Sequence, residues 1–311
     1  MTGAGIIDRA EPVAKDKYEV EVGGRKLRLS NLDRILYPET GFTKGDLIDF
    51  YEAIAPVLLP YLKGRPLTMR RYPGGVEGPG FWEKRCPAHR PDWVKTASIW
   101  SSSNEEEMDY CVADDVASLV WAANLADIEL HTSLATAAKR EAPTSVVFDL
   151  DPGEPADVLD CAGIALIIRD TLGETGLASL VKTSGSKGLQ LYVPLNSGAT
   201  YEETRPFASS LARAFESEIP DRVVSKMKKS LRKDKVFIDW SQNAEHKTTV
   251  CVYSMRAKSR PSVSTPLNWD EVEAALEAGD ASMLDFGPSE VLARVERNLS
   301  LIHISEPTRP Y

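Results

Sequence analysis

The chain has 311 residues, 42% hydrophobic and 27% charged, with 20 glycines and 20 prolines. That balance is globular, is long enough for a full core, and excludes a disordered or fibrous protein. Lys and Arg number 37 against 46 Asp and Glu, a formal charge of −9 that, taken as an average, disfavours a phosphate-rich partner. Cys86, Cys111, Cys161 and Cys251 lie 25, 50 and 90 residues apart with no CxxC pair. Neither a zinc ribbon nor a disulfide framework is expected; four buried thiols in a reducing cytoplasm are. With four histidines, a His-rich metal site is not expected either. The N-terminal stretch carries Asp8, Glu11 and Asp16 without an apolar signal core, and no apolar run is long enough for a bilayer. No membrane partner is expected, and the cytosol is the expected location.

In chain order, strand and helix signals alternate. Tyr18–Leu29 reads as a hairpin turning at Gly23-Gly24, with Val20, Val22, Leu27 and Leu29 alternating with polar positions. Thr43 and Asp46 form a capping-box pattern, behind which Leu47, Phe50, Tyr51, Ile54 and Leu58 make one helical apolar face. Short strands are predicted around Leu67–Tyr72, Phe81–Arg85 and Met108–Val112, followed by a helix over Asp115–Asn124 and a strand over Ile128–His131. The second half opens with a strand over Ser145–Asp151, which Pro152-Gly153 should end, and a helix over Ala156–Leu172. A strand, glycine turn and strand span Leu180–Leu195, and Thr200 with Glu203 opens a helix to Ile219. Strands over Val236–Trp240 and Thr249–Met255 precede two acidic helices, Trp269–Glu277 and Ser289–Arg297. The pattern is α+β. It predicts one composite domain over 1–300, with an N-terminal part over about 18–142 and a catalytic part over about 143–300. Residues 301–311 read as a disordered or non-native tail.

The sharpest chemical signal is Phe148-Asp149-Leu150-Asp151-Pro152-Gly153. On a strand, residues i and i+2 share a face, so Asp149 and Asp151 project together. Two adjacent carboxylates repel unless a cation lies between them, and hard oxygen donors suit Mg²⁺ or Mn²⁺. Two solvated aspartates at a strand end are the plainer alternative. Asp239, a lone acid in the apolar run Val236–Trp240, is a third candidate ligand for a two-metal phosphoryl or nucleotidyl transfer site. Thr183–Gly188, a glycine- and serine-rich turn carrying Lys187, suits phosphate but is equally an ordinary turn; it lacks the helix that follows a Walker A loop.

Charge is segregated along the chain. Arg222–Lys235 holds seven cations against Asp234, a local +6, and Tyr61–Thr96 holds eight against Glu77, Glu83 and Asp92, a local +5. Phe81 and Trp82 sit inside the second cluster, where adjacent aromatics among cations suit stacking on unpaired bases. On a strand the two rings take opposite faces, so at most one is expected in the core. A solvated charge run is the alternative for both clusters.

The ordered motifs FDLDPG, TSGSKGL and KVFIDWSQN resemble the polymerase domain of bacterial ligase D, within the archaeo-eukaryotic primase superfamily. NLDRILYPETGFTK, RPLTMRRYP, FWEK and IELH upstream and KTTVCVYSMRAK downstream fit as well, so that the resemblance covers about Tyr18–Leu299. It implies a primase-polymerase core of RRM-like antiparallel and mixed sheets flanked by helices, with Mn²⁺- or Mg²⁺-dependent nucleotide addition and a preference for ribonucleotides. Asp149, Asp151 and Asp239 would be the metal ligands. Ser184, Lys187, Gln190, Gln242, Lys247, Arg256 and His131 would contact the incoming nucleotide. Arg34 and Lys44 would grip a downstream 5′-phosphate, with Arg34 standing where the family usually has Lys. Phe81, Trp82, Arg70 and Arg71 would pack on the template, and Lys229, Arg232 and Lys235 on primer or template. Gln190 replaces the usual His, keeping a hydrogen-bond donor but losing positive charge.

The implied function is gap filling or end extension in DNA repair, on gapped or broken duplex bearing a 5′-phosphate. No KxDG nucleotidyl-lysine motif is present. A separate ligase and a Ku-type end-binding protein are therefore the expected partners, in a bacterial cytosol or nucleoid. A catalytically weak factor that binds 5′-phosphate ends and bridges them is the alternative, and a metal-dependent phosphohydrolase is a second.

Overall fold

The hairpin predicted at Gly23-Gly24 forms, with both glycines at positive φ. Strand β2 (Lys17–Val22) pairs antiparallel with β3 (Arg25–Ser30), and the preceding β1 (Glu11–Ala14) adds to β2. The alternating Val20, Val22, Leu27 and Leu29 are the buried side. The computed structural model describes residues 5–101 and 104–297, and the tail expected over 301–311 lies outside them. These residues pack as two units. One takes residues up to 132, 253–262 and 287–297; the other takes 133–252 and 263–286. The sequence suggested one composite domain with its parts meeting near residue 143. In the structure the first boundary follows Thr132, and a later segment returns to the first unit.

In the first unit, the small strands β4 (Ile35–Tyr37) and β5 (Phe42–Thr43) lead into α1 (Lys44–Leu62). The predicted capping box is present: the Thr43 hydroxyl accepts from the Asp46 N–H, and the Asp46 carboxylate accepts from the Thr43 N–H. Leu47, Phe50, Tyr51, Ile54 and Leu58 are all buried on this helix. β6 (Leu67–Arg71) pairs with β7 (Phe81–Glu83) and with β9 (Glu106–Val112), and β9 pairs with β8 (Lys95–Ser101). The periodicity argument missed β8, whose Thr96, Ala97 and Ser98 carry too little hydrophobicity to show alternation. Helix α2 (Val116–Asn124), capped by Asp115, leads to β10 (Asp127–Thr132), which pairs with β6. All six residues of β10 are buried.

One expectation fails here. Cys86 and Cys111 are joined as a disulfide, and the free thiols are Cys161 and Cys251, both buried. The Cys86 N–H bonds the Asp109 carbonyl, a contact 23 residues away that brings the two cysteines together and that spacing cannot reveal. The inference of location from four reduced thiols therefore loses its premise. No helix among the described residues is long and apolar enough to cross a membrane.

The returning segment explains a second difference. The strand expected over Thr249–Met255 is broken into Thr249–Val250 and Met255–Arg256. Tyr253 has φ +62, which extended chain does not allow, and it begins the segment belonging to the first unit. There the Ser254 hydroxyl accepts from the Leu130 N–H at 2.9 Å, and the Met255 N–H donates to the Tyr51 hydroxyl at 3.0 Å.

The second unit is built on β11 (Ser145–Gly153), α3 (Val158–Glu174), β12 (Leu180–Thr183), β13 (Leu189–Pro194), α4 (Tyr201–Glu218), β14 (Val223–Val224) and β15 (Lys235–Asp239). Its sheet runs β14, β15, β11, β13, β12 and a last short strand, Pro266–Leu267; β14 and β15 are parallel and the other pairs antiparallel. Pro152-Gly153 does not end β11. β13 leaves β11 after Leu150, so Pro152 and Gly153 pair only with β15, and a residue lacking an N–H is tolerated beside an open edge. Phe148 and Leu150 are fully buried, as are Cys161, Ala162, Ile164, Ala165 and Ile168 on α3. The architecture is mixed α and β with antiparallel and mixed sheets.

Candidate active site

In the second unit, the cross-strand register sets one face of the sheet. Asp149 on β11 stands opposite Asp239 on β15 and Gln190 on β13, and Gln190 in turn stands opposite Lys182 on β12. Asp151, two residues on, shares the face of Asp149. The three candidate carboxylates are thus brought to one face of adjacent central strands, as directly opposed residues of an antiparallel pair are.

Their electrostatics differ. Burial, then the neighbouring Asp151, raises the Asp149 carboxyl to about 7; the Gln190 amide, which donates to it, and Lys182 oppose that rise, and Asp239 adds to it. Asp239 is buried and already engaged. Its Oδ1 accepts from the Ser241 N–H at 2.9 Å and the Ser241 hydroxyl at 2.6 Å, and its Oδ2 accepts from Gln242 Nε2 at 2.9 Å. Accordingly, among the described residues no group of three His, Cys, Asp or Glu side chains is arranged to hold a metal ion as it stands. The donor chemistry nevertheless fits a hard divalent cation. Asp149 and Asp151 are oxygen donors crowded on one face, and their repulsion is what a cation relieves.

The turn between β12 and β13 closes on itself. The Ser184 N–H donates to the Gly188 carbonyl at 2.9 Å, and the Ser184 hydroxyl accepts from the N–H groups of Ser186 and Gly188. Lys187 Nζ pairs with Glu154 at 2.6 Å, both exposed. Lys247 is half-buried in the turn after β15, its N–H on the Ala244 carbonyl.

Two residues that the sequence reading passed over support this face. Asn243 ties the loop after β15 to β11, donating to the Val147 carbonyl at 2.7 Å and accepting from its N–H at 2.9 Å. Lys182 is buried, donates to the Ser264 hydroxyl at 2.5 Å and lies over the Tyr192 ring. A lysine inside the apolar run Leu180–Thr183 was the available signal.

The basic loop of this unit is less open than its composition suggests. Arg232 lies 3.6 Å from the Phe237 ring centroid and donates to the Met227 carbonyl, while Lys235 donates to the Pro220 carbonyl. Lys229 is exposed on a single turn, Lys229–Leu231.

The first unit holds the other predicted residues. Arg70 and Arg71 on β6 stand opposite Trp82 and Phe81 on β7, and each guanidinium lies over the ring facing it, at 4.9 and 5.3 Å. Neither ring is in the core: Phe81 is 42% exposed and Trp82 51%. The His131 ring meets Trp82 edge to face at 4.7 Å. Arg71 also pairs with Glu83 at 2.6 Å. Arg34 is exposed and donates to the Pro73 carbonyl, whereas Lys44 is buried and its ammonium donates to the Ser30 hydroxyl at 3.4 Å. Burial, then the charges of Arg34 and Arg71, lowers Lys44 to about 8. A lysine whose charge is disfavoured by two neighbouring guanidinium groups is a ready anion site.

The primase-polymerase domain of LigD matches residues 43–300. The chain belongs to this family. The multifunctional non-homologous end joining DNA repair protein LigD of Mycobacterium tuberculosis (strain ATCC 25618 / H37Rv) is 36% identical over 294 residues, 92% of this chain and 38% of that protein. The bifunctional non-homologous end joining protein LigD of Bacillus subtilis (strain 168) is 35% identical over 252 residues, 81% of this chain and 40% of its own length. This chain therefore spans about two fifths of these LigD relatives. The polymerase domain of Mycobacterium tuberculosis ligase D in complex with DNA superposes with a TM-score of 0.81 at 35% identity, over 90% of this chain and 99% of that one.

Proposed function

We propose that the chain is a nucleotidyltransferase of the primase-polymerase type. It extends a primer 3′-end across short gaps or at broken ends in DNA repair by non-homologous end joining, and it prefers ribonucleotides. The observation that carries the reading is the register that sets Asp149, Asp151 and Asp239 on one sheet face. A bound divalent cation, Mn²⁺ or Mg²⁺, supplies charge neutralisation and Lewis acidity there. Asp149 and Asp151 offer it carboxylate oxygens, with Asp239 as third donor once its bonds to Ser241 and Gln242 exchange. Gln190 steadies Asp149 by an uncharged hydrogen bond. Lys187, paired with the exposed Glu154, exchanges that partner for a phosphate at little cost, beside Ser184. Gln242 and Lys247 complete this unit's nucleotide contacts; in the first unit, His131 and Arg256 are the proposed ones.

DNA is the second substrate. Phe81 and Trp82, exposed and backed by Arg71 and Arg70, make a stacking platform for unpaired template bases. Lys229, Arg232 and Lys235 contribute backbone contacts. A separate ligase and a Ku-type end-binding protein are the proposed partners, in the bacterial cytosol or nucleoid. The deciding experiment is extension of a primer on a 5′-phosphorylated gapped duplex with Mn²⁺ and ribonucleotides; binding without extension would sink the catalytic reading.

Two variants test the DNA contacts. Trp82→Ala is expected to weaken binding to gapped DNA about tenfold, the worth of one base stack, with the melting temperature unchanged because the ring is exposed. Binding titrations at fixed salt check it. Lys44→Met is expected to raise stability at pH 7 yet remove the preference for a 5′-phosphate over a 5′-hydroxyl. The sign follows from the lowered Lys44 value. Below pH 8 the buried ammonium is charged at a cost, and stability should climb from about 8 towards 10.5 in the wild type but not in the variant.

A further inference from the structure

Glu129 appears in none of the roles above, yet it is 2% exposed and sits at the centre of the first unit's cations. It lies on β10 opposite Arg70, two residues before His131 and therefore on the same strand face. Its two oxygens divide the work. Oε1 accepts from the Ala257 N–H at 3.0 Å and lies 3.4 Å from Arg256 Nε. Oε2 is 3.0 Å from His131 Nε2 and 3.6 Å from Arg70 Nη1. Burial by itself would raise this carboxyl, but the His131 hydrogen bond, the Arg256 charge and the Ala257 N–H outweigh it and hold it near 2. A carboxylate so buried is retained only where its partners demand it.

We propose that Glu129 is a positioning residue that locks Arg256 and Arg70 into one preset cationic pair for polyphosphate and holds the neutral His131 ring in a fixed orientation beside them. The inference rests on the reading that His131 and Arg256 contact the nucleotide. A carboxylate oxygen only accepts, so His131 Nε2 carries the hydrogen and Nδ1 is left as a hydrogen-bond acceptor, which a ligand hydroxyl can engage only while the ring is neutral. The same carboxylate reaches the stacking platform, because Arg70 lies over Trp82 and Trp82 packs against His131. The charges around His131 are Glu129, which favours its protonation, and Arg256 and Arg70, which with burial oppose it.

The test uses the full chain. Glu129→Gln keeps the size but turns an amide N–H towards His131 and Arg70. It should raise the KM for the nucleoside triphosphate about tenfold with kcat changed less than about twofold, and move the acid limb of kcat/KM to lower pH because His131 loses its anion. Glu129→Asp should restore part of the KM. Folded Glu129→Gln with unchanged KM and pH profile overturns the inference. His131→Ala and Arg256→Ala separate the two levels. If they raise KM and Glu129→Gln does not, positioning alone is wrong; if they too leave KM unaltered, the nucleotide reading falls and takes positioning with it. Should Glu129→Gln fail to fold, nitrogen NMR of His131 in the unmutated protein decides: the Nε2–H tautomer at neutral pH supports the proposal, and the Nδ1–H tautomer overturns it.

Discussion

Asp149→Asn is expected to abolish primer extension, by about a thousandfold or more, while leaving the metal-free protein more stable than the wild type. The two effects share one cause. Burial and the adjacent Asp151 lift the Asp149 carboxyl to about 7 from 3.8. Between these values the folded state keeps a proton that the unfolded chain has released, so wild-type stability falls as pH rises through this window. The amide carries no such charge. The difference in melting temperature between variant and wild type should therefore widen from pH 4 to pH 7 and stay constant above about 8. It is worth about 2 kcal/mol at its full extent, once the partial solvation of the site is allowed for. Melts in chelator measure it. Adding Mn²⁺ should then stabilise the wild type and leave the variant unmoved. Equal Mn²⁺ stabilisation of both would remove Asp149 from the donor set.

Gly188→Ala should be strongly damaging to the second unit. A Cβ at this position would collide with the backbone carbonyl of Leu150 and press on the Pro152 ring. A carbonyl within a sheet cannot step aside as a side-chain tip can, so β13 must separate from β11 just where β11 carries Asp149 and Asp151. The expected cost is about 2–4 kcal/mol, read as a lowered melting temperature with loss of extension. Gly173→Ala is the control. That position lies in α3 with open space around it, and alanine there should stabilise by about 0.5–1 kcal/mol. A Gly188→Ala protein as stable as the wild type would show that the β11–β13 approach is looser than described.

How much was legible in the sequence depended on the range of the interaction. The capping boxes at Thr43–Asp46 and Thr200–Glu203 were read correctly because both partners lie within one helical turn. The shared face of Asp149 and Asp151 follows from strand alternation alone. Local patterns misled where a neighbouring strand decided the outcome: Pro152-Gly153 stays in β11 because β13 has already departed, and Thr249–Met255 breaks at Tyr253 where the chain enters the other unit.

The acidic average of the chain concealed basic clusters that the sequence itself located, and ordered motifs placed it in its family. Which cations are occupied could be decided only in three dimensions. Arg232 lies over Phe237, Lys187 sits on Glu154, and Lys44 is buried among like charges. The opposition of Asp149 to Asp239 and Gln190, the Cys86–Cys111 pairing and the four-way bridge at Glu129 likewise join residues from separate strands and segments. Periodicity reports which face a residue takes on its own element. Register between elements is set by packing of the whole sheet, and no single stretch of sequence carries it.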